Sequence, residues 1–152
     1  MIELRLAHRD DLETLVPLVM AYHRFEEVDM PEPVVREAVA PLLGGSDHGR
    51  IWLIHHEGKC AGYIALCLGY SIEFAGREAF IDELYLHEQY RGRGIGRAAI
   101  QEVVRQAAPL GVRAVHLEVG RENETAQQFY SAMGFAPRSR YFLMTRYLDG
   151  KE

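Results

Sequence analysis

The hydrophobic pattern of the chain changes period several times. Ile2-Glu3-Leu4-Arg5-Leu6 alternates apolar and polar residues, the period of a half-buried strand. From Leu12 the apolar positions fall at helical spacing, with Leu12, Leu15, Val16, Val19 and Tyr22 as one stripe, and Asp10 with Glu13 has the spacing of a capping box at its start. Pro17 lies inside this predicted helix and should bend it. Residues 25–31 are acidic and proline-punctuated, hence a loop. Pro33 suits the first position of a second helix reaching Leu42 or Leu43, which Gly44-Gly45 ends.

Residues 51–56 and 61–68, joined at Glu57-Gly58, read as an antiparallel hairpin, and residues 79–86 as a further strand after a turn region at 69–76. Ile95, Ala99, Val103 and Ala107 then recur every four residues, flanked by Ile100 and Val104, which predicts a helix with one buried face that Pro109 and Gly111 stop. Val115, Leu117 and Val119 alternate with Ala114, His116 and Glu118 as a central or half-buried strand. Asn123 can cap a short helix carrying Ala126, Phe129, Tyr130 and Met133 on one face, with Gly134 as its stop. Residues 141–148 read as a last strand, and Phe135, Tyr141, Phe142 and Tyr147 as sheet core. The order predicts one mixed α/β layer with its sheet covered on both sides.

Composition narrows the class. A chain of 152 residues, 48% hydrophobic and 26% charged, fits a single domain over residues 1–152 with a sizeable core. The net charge of −5 argues against sequence-independent nucleic-acid binding and suits a cationic acceptor. No apolar run approaches the ~20 residues of a membrane span, and the N-terminus lacks a signal-peptide pattern, so a cytoplasmic protein is expected. Cys60 and Cys67 sit seven apart on one predicted strand, on opposite faces, and are expected as free thiols.

The densest chemical signal is the stretch Glu88-Gln89-Tyr90-Arg91-Gly92-Arg93-Gly94-Ile95-Gly96-Arg97, between an apolar strand and an apolar helix. Such a turn offers unpaired N–H groups, the positive end of a helix dipole and guanidinium groups to one phosphate. A nucleotide P-loop would need Lys followed by Ser or Thr, and neither dipeptide occurs. A dinucleotide fingerprint is closer, since Gly92-x-Gly94-x-Gly96 falls one residue short and Glu118 sits about where a ribose-binding acid would. The strands before the loop form a meander, however, rather than βαβ units.

Arg91-x-x-Gly94-x-Gly96 resembles the Gln/Arg-x-x-Gly-x-Gly/Ala signature of the GNAT acetyltransferase superfamily. The preceding Ile81-Asp82-Glu83-Leu84-Tyr85-Leu86, the following Leu117-Glu118-Val119 and the run Asn123-x-x-Ala126-x-x-Phe129-Tyr130-x-x-x-Gly134-Phe135 stand in that family's order, over more than a third of the chain. The resemblance, nearest to polyamine or small-amine members, implies the GNAT fold: a mixed, mostly antiparallel central sheet of about six to seven strands covered by about four helices. It implies acetyl-CoA as co-substrate, with no metal. The backbone of Arg91, Gly92, Arg93, Gly94, Ile95, Gly96 and Arg97 would hold the pyrophosphate. The pantetheine arm would pair with Leu84, Tyr85 and Leu86 where that strand splays from its neighbour at a bulge, and Asn123 would add a contact. A homodimer is usual for similar proteins, with the 141–148 strand a candidate contributor.

Acetyl transfer to an amine requires removal of a proton from an ammonium and a proton for the departing thiolate. Tyr130, matching the tyrosine of the family's Phe-Tyr pair, is the candidate acid. Asp82 and Glu83 lie where polyamine-type members carry an acidic pair. Alternation points the two to opposite faces, so at most one should face the reaction, with Glu83 slightly preferred. Glu26, Glu27 and Asp29 in the first interhelical loop, and Glu73 in the turn at 70–74, could draw a cationic acceptor. His55, His56 and Cys60 lack the companion ligands of a metal site and read as hairpin decoration. His87 and His116 could relay protons or simply pack. The reading is an N-acetyltransferase acting on a small-molecule primary amine, with no nucleic-acid or membrane partner. A protein or peptide amine acetyltransferase, a non-catalytic acetyl-CoA sensor and a nucleotide-linked oxidoreductase are the alternatives.

Overall fold

The structure, a computed structural model, describes residues 1–150. The chain divides into two compact units, Met1–Glu118 and a second from Val119 onward. In the first unit β1 (Ile2–Leu6) is followed by α1 (Leu12–Phe25) and α2 (Glu32–Val39). The meander β2 (Gly49–His56), β3 (Lys59–Ser71) and β4 (Gly76–Leu86) comes next, then α3 (Ile95–Ala107) and β5 (Val112–His116). The sheet order is β1-β2-β3-β4-β5, antiparallel except for the parallel β4–β5 pair. Together with α4 (Glu124–Ser131) of the second unit, this gives five strands and four α-helices among the described residues, a mixed and mostly antiparallel α/β fold as expected.

Alternation along the strands explains the two layers. Ile51, Leu53, Tyr63 and Ala65 pack with Leu15, Val16, Leu18, Val19, Val35 and Val39, so α1 and α2 cover one face. Trp52 points the other way, its indole N–H donating to Gln106 Oε1 on α3 at 3.1 Å. The apolar stripe of α3 is buried at Ile95, Ala99, Ile100, Val103 and Ala107, whereas Val104 is exposed.

Four expectations need correction. The carboxylate at the start of α1 is that of Asp11, not Asp10 with Glu13: Asp11 accepts from the His8 backbone N–H at 2.9 Å and from both terminal nitrogens of Arg5. A bidentate guanidinium on β1 fixes that choice, and Glu13 instead binds Arg36 on α2. The strand expected through Val119 ends at His116, and of the two placements expected for it, central or half-buried, it takes the second, half-buried at the sheet edge. Residues 141–148 form no strand. Tyr141, Phe142, Leu143, Met144, Tyr147 and Leu148 are exposed, so Tyr141, Phe142 and Tyr147 are not sheet core. Their alternation is locally valid, but a strand exists only where a neighbour supplies the ladder.

Candidate active site

β4 carries one residue more than its partner. Ala65 on β3 pairs with Glu83, and the next residue, Leu66, pairs with Ile81, which leaves Asp82 as the extra residue of a β-bulge. On the other side, β5 pairs with β4 only from Arg77 to Phe80, so the parallel ladder stops where the bulge begins and β4 runs on to Leu86. The strand edge at Leu84, Tyr85 and Leu86 therefore extends past the end of the ladder with its neighbour.

The bulge overturns the simple alternation of the two carboxylates. Tyr63 and Cys67 are four apart on β3 and share a face. Glu83 Oε1 accepts from the Tyr63 hydroxyl at 2.7 Å, and Asp82 accepts from the Cys67 thiol. Both acids therefore project to the α1–α2 face. Glu83 Oε2 is also bound to His23 Nε2 of α1 at 2.7 Å. Tyr63 is fully buried, and burial, then the Glu83 charge, pushes its hydroxyl far above the usual tyrosine range, so it stays a donor. Burial, then the neighbouring Asp82 charge, pushes the Cys67 thiol up to about 11, so it too remains protonated.

Asp82 is open to solvent, yet enough protein surrounds it that desolvation, followed by the charge of Glu83, raises its carboxyl above the ordinary 3.8. A raised carboxyl binds more protons folded than unfolded, so its contribution to stability falls as pH rises above 3.8 and the loss is complete above its folded value. Asp82→Asn should accordingly raise Tm at neutral pH, with the gain shrinking as the buffer approaches pH 3.8, readable by thermal denaturation across pH. An equal Tm difference at every pH would contradict this electrostatic account.

His23 and Tyr63 were missed in the sequence. A signal existed for His23, which sits four residues after Val19 and so on the buried stripe, where an imidazole requires a partner. Tyr63 looked like one more apolar strand residue. Other candidates lie farther out. Glu26 and Glu27 are exposed just after α1, with Glu27 at φ 57°, and Glu73 is exposed in the β3–β4 turn at the far end of the hairpin from the bulge. His116 pairs with Glu78 at 3.5 Å between the rings of Phe74 and Phe80, while His87 stands edge-on to Tyr85. Cys60 and Cys67 are free.

Beyond β4 the chain makes a short 3-10 turn at Glu88–Tyr90 and enters α3 through Gly94, its N-cap. Gly92 and Gly94 hold φ of 73° and 77°, and a Cβ on either would meet nothing within 4 Å, so open space lies over both. The first backbone bond at the start of α3 runs from Ala98 N–H to Gly94 O at 3.1 Å, which puts the N–H groups of Ile95, Gly96 and Arg97 ahead of the ladder. Arg91, Arg93 and Arg97 are exposed around this loop. Arg91 has further contacts: its Nε donates to Leu86 O at 2.9 Å, and its guanidinium lies over the rings of Phe25 and Tyr85. These groups fit a bridged phosphate, offering N–H donors, positive charge and no side chain over Gly92 and Gly94.

In the second unit, Asn123 Oδ1 accepts from Ala126 N–H at 3.1 Å, capping α4 as expected. Gly134, at φ 93°, closes the end with bonds from Gly134 N–H to Ser131 O and from Phe135 N–H to Tyr130 O, the paired bonds of a Schellman motif. Tyr130 is packed against Phe129 and Phe135, and burial raises its hydroxyl above the ordinary value.

The profile of the acetyltransferase (GNAT) family matches residues 13–135, spanning the bulge, the glycine loop and α4. The chain belongs to that family. An uncharacterized N-acetyltransferase of Methanocaldococcus jannaschii is 31% identical over 134 residues, 87% of this chain but 59% of that protein. The chain thus spans under two thirds of that relative's length. The thialysine N-epsilon-acetyltransferase of Bos taurus is 33% identical over 79 residues, covering 51% of this chain and 46% of its own. An integron cassette protein from the mobile metagenome of Cole Harbour Salt Marsh superposes with a TM-score of 0.83 at 34% identity, over 95% of this chain and 90% of that one. The GNAT fold expected from the glycine signature is therefore the fold of this chain.

Proposed function

We propose that this GNAT chain is an acetyl-CoA-dependent N-acetyltransferase that moves an acetyl group to a primary amine of a small molecule, by direct transfer in a ternary complex. The carrying observation is that β4 outruns β5 at the bulge and leads through the glycine loop to the N-terminus of α3. An open strand edge can take an extended amide-bearing arm as a further strand, and the loop that follows can take its phosphates. Leu84, Tyr85 and Leu86 would hold the arm, residues 91–97 the pyrophosphate, and the amide nitrogen of Asn123, whose oxygen is spent on the cap, would remain to donate.

Acetyl-CoA supplies an acyl carbon already activated as a thioester. The acidic pair at Asp82 and Glu83 attracts a cationic amine and takes one proton from its ammonium, freeing the lone pair. Tyr130 gives its hydroxyl proton to the departing sulfur and regains one from the nitrogen as the amide forms. The sum is ammonium plus thioester giving amide, thiol and one proton. Two carboxylates on one face favour a small cationic acceptor, in keeping with the thialysine enzyme among the relatives. Glu26 and Glu27 would add negative charge at the mouth; Glu73 is too far along the hairpin to touch the reacting nitrogen.

The test is CoA release from saturating acetyl-CoA across a panel of small amines and peptides, alongside thermal shifts with acetyl-CoA and NAD. Turnover with small cationic amines and a Tm rise with acetyl-CoA alone are expected. Release with peptides only would reassign the acceptor, and a Tm rise without turnover on any amine would mean a binding module. Arg91→Glu should weaken acetyl-CoA about tenfold or more by calorimetry, because it reverses a charge at the loop and frees Leu86 O. Unchanged affinity would remove Arg91 from the phosphate site.

A further inference from the structure

The structure treats the two carboxyls of the bulge unequally. Both oxygens of Glu83 are occupied, Oε2 by His23 Nε2 and Oε1 by the Tyr63 hydroxyl, each at 2.7 Å. Its two partners come from different layers, α1 and β3, so neither oxygen can turn without losing one of them. The His23 side chain is only 8% exposed, and its Nδ1 is buried with no partner among the described residues. A buried imidazole needs a hydrogen-bond partner, and the Nε2 of His23 finds it in Glu83 Oε2. Asp82 differs on each count. It is exposed, and its recorded donor is a thiol, the weakest of the hydrogen-bonding side chains facing the pair.

We propose that His23 and Tyr63 are positioning residues that clamp Glu83 as a fixed anion facing the acceptor, leaving Asp82 as the carboxyl that takes the amine's proton. The proposal rests on the acetyltransferase reading and divides the labour within its acidic pair. The groups acting on the pair are His23 from α1, Tyr63 and Cys67 from β3 and the charge of Glu118, with the rings of Tyr22 and Tyr85 packed behind His23 and Tyr63. In the step, the ammonium N–H bond breaks and the proton passes to an Asp82 carboxylate oxygen, leaving a neutral amine. Asp82, being open to water, then returns that proton to solvent. Glu83, held by His23 and Tyr63, takes no part in the proton transfer and serves to draw the ammonium in before it.

The test joins kinetics to a readout that needs no acceptor. Selective 15N labelling of histidine, read by NMR, reports which ring nitrogen carries hydrogen. A proton on Nε2 of His23 is expected, and a bare Nε2 overturns the clamp even if no acceptor has been found. With a turning-over amine, Asp82→Asn should lower kcat about a hundredfold with KM for the amine little changed. Glu83→Gln should instead raise KM for the amine, by about tenfold. His23→Leu should cost about tenfold in kcat/KM for the amine, leave KM for acetyl-CoA unchanged, and be largely rescued in His23→Gln, whose amide can still donate. Equal losses in the two His23 variants with equally lowered Tm, full activity in His23→Leu, or near wild-type kcat in Asp82→Asn would overturn the proposal. Absence of turnover in the wild-type chain would sink the acetyltransferase reading instead, with the NMR result still deciding the clamp.

Discussion

Tyr130→Phe should lower kcat about a hundredfold while leaving KM for acetyl-CoA and Tm unchanged. The ring of Tyr130 stands edge-on to Phe129 and Phe135, at centroid distances of 5.2 and 6.0 Å, and phenylalanine preserves both contacts. Only the hydroxyl is lost, and burial holds that hydroxyl protonated well past neutrality. A group protonated at working pH can serve as an acid, and the thiolate is the base that needs one. Steady-state kinetics at saturating amine, paired with a melting curve, separate the roles. Wild-type turnover would remove Tyr130 from the chemistry, and a lowered Tm would make it a packing residue.

Gly62→Ala should destabilise the fold by about 3–5 kcal/mol, measured by urea unfolding. A Cβ at Gly62 would collide with Tyr85 O and stand 3.0 Å from Leu86 Cα. Both are backbone atoms of β4, so no side chain can swing aside, and the strand itself must move at the point where it leaves for the glycine loop. Loss of the acetyl-CoA thermal shift is expected to accompany the loss of stability. Gly92→Ala is the control. It has open space around it and only its φ of 73° to resist the change, at a cost of about 1 kcal/mol. Unfolding of Gly62→Ala at the wild-type midpoint would show that the β3–β4 approach is not tight.

The glycine loop and α3 were legible in the sequence because their determinants are local. Gly94 must adopt a left-handed conformation to begin the helix, and Ile95, Ala99, Val103 and Ala107 repeat at a spacing only a helix satisfies. The hairpin was equally legible, from alternation on either side of Glu57-Gly58. Residues 141–148 show where local pattern stops: alternation lets a segment be a strand, and whether it becomes one depends on a neighbour's free edge. The start of α1 shows the same limit on a smaller scale. Asp10, Asp11 and Glu13 all suit a helix start, and Arg5, on a different element, selected Asp11.

The sequence by itself pointed to the family, to the glycine turn proposed for the phosphates and to the candidate acids and tyrosine, because each is written in neighbouring residues. Tertiary structure decided how those side chains are arrayed. The extra residue at Asp82 is visible only in the register of β4 against β3, and that one-residue mismatch brings two carboxylates, which alternation would separate, to one face. It also decided their unlike surroundings, since His23 lies sixty positions from Glu83 and Tyr63 twenty, and only packing α1 onto the sheet brings both to the same carboxylate.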